Sequence, residues 1–201
     1  AIEVAMEEPA AKSEPGIQEC LVDAKQGMQR IQHIVSDLKT FAYRKPGAEV
    51  EGTPFLFEKA LDSSQRLTAH ELRGVKMTRE MPDDTLVLGD EAAIIGVLIN
   101  LFSNAALAMR KAGTQNPAIH TTVRWEDKRL RVTVRDNGPG IAQEHLARVF
   151  EPFFTTREVG QGLGLGLSIS YAVIERHGGV LYAESDVGQW AAFSFDLPRA
   201  E

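Results

Sequence analysis

Residues 90–113 read DEAAIIGVLINLFSNAALAMRKAG. The stretch opens on Asp90, whose carboxylate suits a helix N-cap, and closes on Gly113, which suits a helix end. Between them the residues predict one long helix. Its apolar run, Ala92 to Met109, is interrupted by Asn100, Ser103 and Asn104. Polar groups at the centre argue against a membrane span and for a buried amphipathic helix. Asn100 and Asn104 are four apart, so they share one helical face. In apolar surroundings each unpaired amide would cost about 1–3 kcal/mol, so something must satisfy them. One reading is chemical: an amide oxygen is a hard ligand suited to Mg²⁺, and its NH₂ donates to phosphate. The other is structural, a pair bonded to nearby backbone.

Outward from this helix, strand and helix signals alternate. Pro54, at a first helical position, is expected to open a helix running to about Leu72. Val75 to Arg79 and Thr85 to Leu88 read as strands separated by Met81-Pro82-Asp83-Asp84. Ile119 to Trp125 and Leu130 to Asp136 read as a hairpin turning at Glu126-Asp127-Lys128-Arg129. Residues 137–162 read mostly as loop, with a short helix near 143–149. Leu163 to Arg176 is expected to be a helix ended by His177-Gly178-Gly179. Val180 to Glu184 and Ala192 to Leu197 close the sheet. About five strands in a mixed sheet with three main helices predict a two-layer α/β sandwich.

The N-terminal part differs. Residues 7–16, EEPAAKSEPG, read as a loop. Leu21, Ala24, Met28, Ile31, Val35, Leu38 and Ala42 then alternate by three and four. That is an a/d seam, the pattern of a helix that pairs with other helices. Residues 44–54, RKPGAEVEGTP, form a polar linker. The expected division is a helical segment over 1–45 and an α/β domain over 46–201.

Composition narrows the classes. Of 201 residues, 22 are Lys or Arg and 28 Asp or Glu, a net charge of −6, which disfavours a generally cationic nucleic-acid binder. The single cysteine, Cys20, excludes an internal disulfide framework and a Cys-rich zinc site. It reads as a small apolar residue near a helix start. The opening Ala1-Ile2-Glu3-Val4 has no basic n-region and reads like a piece of a longer chain.

Three more stretches carry chemistry. Asp136-Asn-Gly138-Pro-Gly140 puts a carboxylate at a strand end before two glycines. Glycine admits close approach of a flat ligand, and a carboxylate accepts from an exocyclic amine, favouring adenine over guanine. The same five residues also suit an Asx-type turn. Gly160-Gln-Gly162-Leu-Gly164-Leu-Gly166 precedes and enters a helix, where backbone N–H groups attract phosphate. No Gly-Lys-Ser/Thr follows and the spacing is not GxGxxG, so neither a P-loop nor a dinucleotide fingerprint fits. The glycines also suit close helix–sheet packing or a mobile lid. Phe150-Glu-Pro-Phe-Phe154 reads as an apolar plug that holds the loop and hinges the lid.

These four stretches, in this order, resemble the nucleotide-binding boxes of sensor histidine kinases of two-component systems. The wider likeness is to the Bergerat-fold ATP-binding superfamily, which includes gyrase B and MutL. Asn100 to Asn104 resembles the N box, Asp136 to Gly140 the G1 box, Phe150 to Phe154 the F box, and Gly160 to Gly166 the G2 box. The resemblance covers about residues 50–200; residues 17–45 resemble the second helix of the dimerisation domain in these kinases. It implies that Asn104 ligates Mg²⁺ and that Asn100 shares the catalytic role. It implies that Asp136 binds the adenine amine, with Gly138, Gly140 and Ile141 shaping the base pocket. Gly162, Leu163, Gly164, Leu165 and Gly166 would hold the phosphates, with Thr155, Thr156 and Arg157 at the lid edge. In hydrolysing members of the superfamily the place of Asn100 resembles a glutamate that activates water. Asparagine cannot take that proton, so transfer from ATP to another nucleophile is the expected chemistry. The alternative is another Bergerat-fold ATPase or a protein serine kinase.

The implied partners are a homodimer through helix 17–42, ATP and a response-regulator receiver domain, with no nucleic acid. The expected place is the cytoplasm, the full-length protein being free to carry a membrane anchor. His70-Glu71-Leu72-Arg73 looks like a phosphoacceptor box, but Gly74-Val75 follows instead of a proline turn. His33 has Ile34-Val35-Ser36 after it. His120, His145 and His177 show no metal spacing and are assigned to surface or capping roles. The acceptor histidine is therefore expected upstream of Ala1. Two departures stand out: Leu107 where many relatives carry lysine, and Gly188-Gln189-Trp190-Ala191 in place of Gly-x-Gly-Thr, with Trp190 a candidate contact surface.

Overall fold

The computed structural model describes residues 52–156 and 163–200, together with Ile17, Cys20 and Leu21. The chain divides into two compact units, Ala1–Arg44 and Lys45–Glu201. In the first, Ile17, Cys20 and Leu21 are helical. The seam from Ala24 to Ala42 lies outside the described residues, as do Arg157, Gly160 and Gly162.

The described part of the second unit runs β1 (Thr53–Leu56), α1 (Phe57–Leu67), β2 (Lys76–Glu80), β3 (Leu86–Gly89), α2 (Glu91–Ala112), β4 (Ala118–Glu126), β5 (Arg129–Asp136), α3 (Gln143–Leu146), α4 (Gly166–Arg176), β6 (Tyr182–Asp186) and β7 (Trp190–Pro198). Five strands form a sheet in the order β2-β4-β5-β7-β6, and β1 pairs with β3 in a separate two-stranded sheet. The β2–β4 pair is parallel and the other ladders of the large sheet are antiparallel, so the sheet is mixed as expected.

Alternation decides which face is buried. Ile119, Thr121 and Val123 on β4, and Leu130, Val132 and Val134 on β5, all point to the core side. Helix α2 meets them with Ile94, Val97, Leu98, Leu101, Phe102, Ala105, Ala106 and Met109, a stripe at helical spacing. Phe57 of α1 meets Phe195 of β7 edge-on, with ring centroids 6.3 Å apart, and both are fully buried. Helix α2 is long and apolar enough to cross a bilayer, but in this fold its apolar stripe is core and its centre carries the two asparagines.

Some boundaries differ from the sequence reading. Pro54 lies on β1, opposite Leu88, and the helix begins at Phe57. A proline tolerates this place because β1 has a neighbour on one side only, so its missing N–H breaks no ladder. Helix α1 stops at Leu67 rather than Leu72: the Thr68 hydroxyl donates to the Ser64 carbonyl, and turns lead to Gly74 at φ 83°. Helix α4 starts at Gly166 rather than Leu163, because Gly164 sits at φ 67°, a left-handed conformation that a helix cannot contain.

Candidate functional site

Helix α2 carries the two asparagines, and its ends form as the sequence predicts. The Asp90 carboxylate accepts the Ala93 N–H at 3.1 Å, and Gly113 closes the helix at φ 62°. Helix α4 packs against α2, running the other way. At one end Asn100 meets Ser170 and Gly166; at the other, Asp90 meets His177 just beyond α4. Asn100 Nδ2 donates to Ser170 Oγ at 2.9 Å, and Asn104 Nδ2 donates to Asn100 Oδ1 at 3.2 Å. A Cβ on Gly166 would lie 2.3 Å from Asn100 Oδ1, so only glycine lets α4 begin this close to the asparagine. Both asparagines are half-buried.

Asp136 ends β5, paired with Ile119 of β4 and Ala191 of β7. It continues the core-facing register of Leu130, Val132 and Val134 and is 5% exposed. Burial raises its pKa, and backbone N–H donors such as that of Gly138 offset part of the rise. Its Oδ1 accepts the Gly138 N–H at 2.8 Å, so the Asx turn forms. The turn and a ligand-binding role are compatible, because the turn is what holds the carboxylate rigid. A Cβ on Gly138 would come within 2.7 Å of Asp136 Oδ1 and 3.1 Å of Met109 Cγ. The G1 backbone thus lies between the carboxylate and α2, which joins two stretches that are far apart in sequence.

The rest of that loop is pinned to the β6–β7 hairpin. Gly140, at φ 69°, lies against the Asp186 carbonyl; a Cβ there would be 2.4 Å from it. Ile141 N–H donates to Ser185 Oγ at 2.7 Å, Ser185 Oγ donates to the Trp190 carbonyl at 2.7 Å, and Gly188 N–H donates to the Pro139 carbonyl at 2.7 Å. Trp190 lies under the Arg135 guanidinium, 4.3 Å from ring centroid to Cζ. The sequence departure at residues 188–191 is therefore where the hairpin grips the G1 loop.

The plug forms in part. Phe150 packs on Tyr171 of α4 and Phe193 of β7, and Phe154 packs between His145 and Arg148. Phe153 instead stands 59% exposed with φ 66°. Gly164 rests on the Phe153–Phe154 backbone, where a Cβ would be 2.5 Å from the Phe154 carbonyl oxygen. Thr155 and Thr156 are exposed beside the undescribed 157–162. Leu163 is partly exposed, whereas Leu165 is buried, so Leu165 offers a ligand no more than its backbone. Helix α4 has no side-chain cap at its N-terminus. An uncapped helix start of this kind favours negative charge beside it, here next to Gly164 and Gly166.

Among the described residues no three His, Cys, Asp or Glu side chains cluster for a metal. An amide oxygen such as that of Asn104 is a hard donor of the kind Mg²⁺ takes, and one such donor would suffice where phosphates and water completed the shell. Sequence reasoning missed Ser170, Ser185 and His177 as parts of the site's frame. Of the surface or capping roles expected for it, His177 takes the capping one, buried at the C-cap of α4: Nε2 accepts the Asp90 N–H at 2.9 Å and Nδ1 donates to the Val173 carbonyl at 2.7 Å. A Cβ on Gly89 would collide with its ring at 2.6 Å, so Gly89 makes room for it.

Residues 89–201 match the family described as histidine kinase-, DNA gyrase B-, and HSP90-like ATPase. The sensor protein FixL of Bradyrhizobium diazoefficiens is 33% identical over 93% of this chain and 36% of its own length. Sporulation kinase A of Bacillus subtilis is 31% identical over 86% of this chain and 28% of its own length. The chain thus spans about a third of these relatives. The solved catalytic domain of the histidine kinase ThkA is 32% identical and superposes with a TM-score of 0.64, covering 75% of this chain and 97% of that domain. Full-length ShkA in complex with AMPPNP is 26% identical, with a TM-score of 0.78 over 93% of this chain and 40% of that one. ThkA in complex with the response regulator TrrA is 25% identical, with a TM-score of 0.70 over 99% of this chain and 55% of that one. With residues 89–201 matched by the family and a histidine kinase catalytic domain matched over nearly its full length, the chain belongs to the histidine kinase branch of the histidine kinase-, gyrase B- and HSP90-like ATPase family.

Proposed function

We propose that this chain binds ATP with Mg²⁺ and transfers the γ-phosphate to a histidine of its own kinase, for relay to an aspartate of a response-regulator receiver domain. The observation that carries the reading is Asp136: a carboxylate buried at a strand end, held by its own turn, with glycines on its ligand side. It would accept the adenine amine, while Gly138, Gly140 and Ile141 bound the base. Gly162 to Gly166 and the uncapped start of α4 would hold the phosphates, with Thr155, Thr156 and Arg157 at the lid edge. Asn104 would supply an oxygen to Mg²⁺, which when bound neutralises phosphate charge.

Neither N-box asparagine plays a general base. Asn100 gives its NH₂ to Ser170 and its oxygen to Asn104, and an amide takes no proton from water. The reading is therefore transfer by positioning rather than rapid hydrolysis. The described histidines have other work. His177 joins two helices, His120 bonds Thr78 across strands, His145 stacks on Phe154, and His70 stands exposed in the turns after α1. With His33 outside an acceptor motif, the phosphoacceptor is a histidine other than these five, and the chain alone does not phosphorylate itself. The regulator partner is supported by the ThkA–TrrA complex.

Calorimetry with ATP tests the reading. Asp136→Asn replaces an acceptor edge with one that can donate, and removes a charge-assisted bond of about 1.5–3 kcal/mol, so affinity should fall roughly ten- to hundredfold. Unchanged binding would defeat the assignment, and fast steady-state ATP hydrolysis by the wild-type chain would move it to the hydrolysing members of the family.

A further inference from the structure

We propose that Ser185 is a positioning residue for the base end of the site: its hydroxyl holds Gly140 and Ile141 in place, so that the base pocket is formed before a nucleotide arrives. The inference deepens the ATP-binding reading above and rests on it.

Ser185 lies on β6, the edge strand of the large sheet. It stands opposite Ala191 of β7, which in turn stands opposite Asp136 of β5. Residues in one such row point to the same face of a sheet. Asp136, Ala191 and Ser185 therefore share the face on which the G1 loop lies. At the start of the loop Asp136 Oδ1 accepts the Gly138 N–H at 2.8 Å. At its end Ser185 Oγ accepts the Ile141 N–H at 2.7 Å and donates to the Trp190 carbonyl at 2.7 Å. The polarity of the hydroxyl is forced by these partners. A backbone N–H can only donate and a carbonyl can only accept, so the hydroxyl proton points to Trp190 and a lone pair to Ile141. No apolar side chain makes either bond.

The joint is tight on the side of the loop. A Cβ on Gly140 would lie 3.0 Å from Ser185 Oγ and 2.4 Å from the Asp186 carbonyl oxygen. Only glycine lets the loop settle on the strand here, and its φ of 69° immediately precedes the bonded N–H. Other ties act earlier in the loop. Asn137 Oδ1 accepts the Ala118 N–H at 2.8 Å, and the Pro139 carbonyl accepts the Gly188 N–H at 2.7 Å. Ser185 supplies the tie beyond both glycines. A segment with two glycines has much conformational freedom to lose, and a pocket formed for only a fraction of the time binds with affinity reduced by that fraction. Ser185 acts on the base in this way, through the loop. The phosphates are assigned to a different element, α4 and the glycines before it, so the effect belongs to the base end alone.

The test is calorimetry with ADP and with ATP, each with Mg²⁺, on the wild type, Ser185→Ala and Ser185→Cys. Cysteine nearly keeps the side-chain volume, but its thiol is a weak donor and a weak acceptor. Both variants should bind both nucleotides about tenfold more weakly, by the same factor for ADP and ATP. Unchanged affinity would show that the loop needs no tie. A loss confined to ATP would place the effect at the phosphates, and wild-type binding by the cysteine variant would mean that packing, not the hydroxyl, matters. Each of these three results overturns the proposal. A wild type that binds neither nucleotide would sink the ATP-binding reading itself and this inference with it. Amide exchange in nucleotide-free protein is an independent readout. The Ile141 N–H should exchange about tenfold faster in the variants, while the N–H groups of Val132 and Val134 in β5 keep their wild-type rates. Equal acceleration at all three would mean a merely structural serine and would overturn the proposal.

Discussion

Asp136 is held in a form that costs stability. Its pKa is raised by burial, so the folded ligand-free domain binds the proton more tightly than the unfolded chain does. The folded state holds more protons across the window from the ordinary carboxylate range up to the raised value. Stability therefore falls as pH rises through that window, and at neutral pH the buried charge is a net cost. Nucleotide binding runs the other way, because the adenine amine needs the ionised acceptor. Affinity should weaken as pH drops into the same window. Two measurements follow for Asp136→Asn: an unchanged or higher melting temperature at pH 7 without nucleotide, and an ATP affinity, already reduced, that no longer varies with pH there. A lower melting temperature at pH 7 would show that the carboxylate stabilises the fold rather than serving the ligand. This residue was half visible in the sequence. The period-two run Leu130, Val132, Val134, Asp136 puts an acid on a core face, an arrangement that a structural role rarely explains. Its degree of burial depends on β4 and β7, which sit on either side of it.

At the scale of elements, the contact between α2 and α4 organises the site. It depends on small residues at two places, Gly166 against Asn100 and Gly89 against His177. Gly166→Ala sets two effects against each other. Alanine gains about 0.5–1 kcal/mol in helix propensity, but its Cβ meets an amide locked by Ser170, and overpacking costs roughly 1–3 kcal/mol. The clash should win, with a net loss of stability in urea unfolding and weaker nucleotide binding. A stabilised Gly166→Ala protein would show that the helices can separate at no cost. Helix α2 itself was readable from end to end, since a capping acid, an apolar stripe and a C-terminal glycine agree with one another. Helix α4 was not, because its first turn is defined by the backbone of Phe153 and Phe154 pressing on Gly164, a contact that crosses a loop.

For the whole molecule, the a/d seam of residues 17–42 leads us to propose a homodimer, since seven apolar residues in register do not stay solvated alone. Sedimentation at tens of micromolar should report twice the chain mass, and Leu38→Asp on the seam should return it to a monomer; a wild-type monomer at that concentration would exclude the seam as a dimer contact for this chain. The described α/β domain has its own core and its own site. Local pattern was enough to predict its class: strand alternation, helix stripes and caps are properties of short windows, set by backbone geometry and side-chain size, while the four boxes were legible only through their resemblance to a known family. What needed the folded chain was the joining of those windows. The small β1–β3 sheet that takes Pro54 out of a helix is an example. So are the Ser185 hydroxyl that ties the G1 loop to a hairpin, and the buried His177 bridging two helices. Each involves partners tens of residues apart, and no local preference selects them: they exist because packing brings a donor within reach of an acceptor that burial would otherwise leave unpaired.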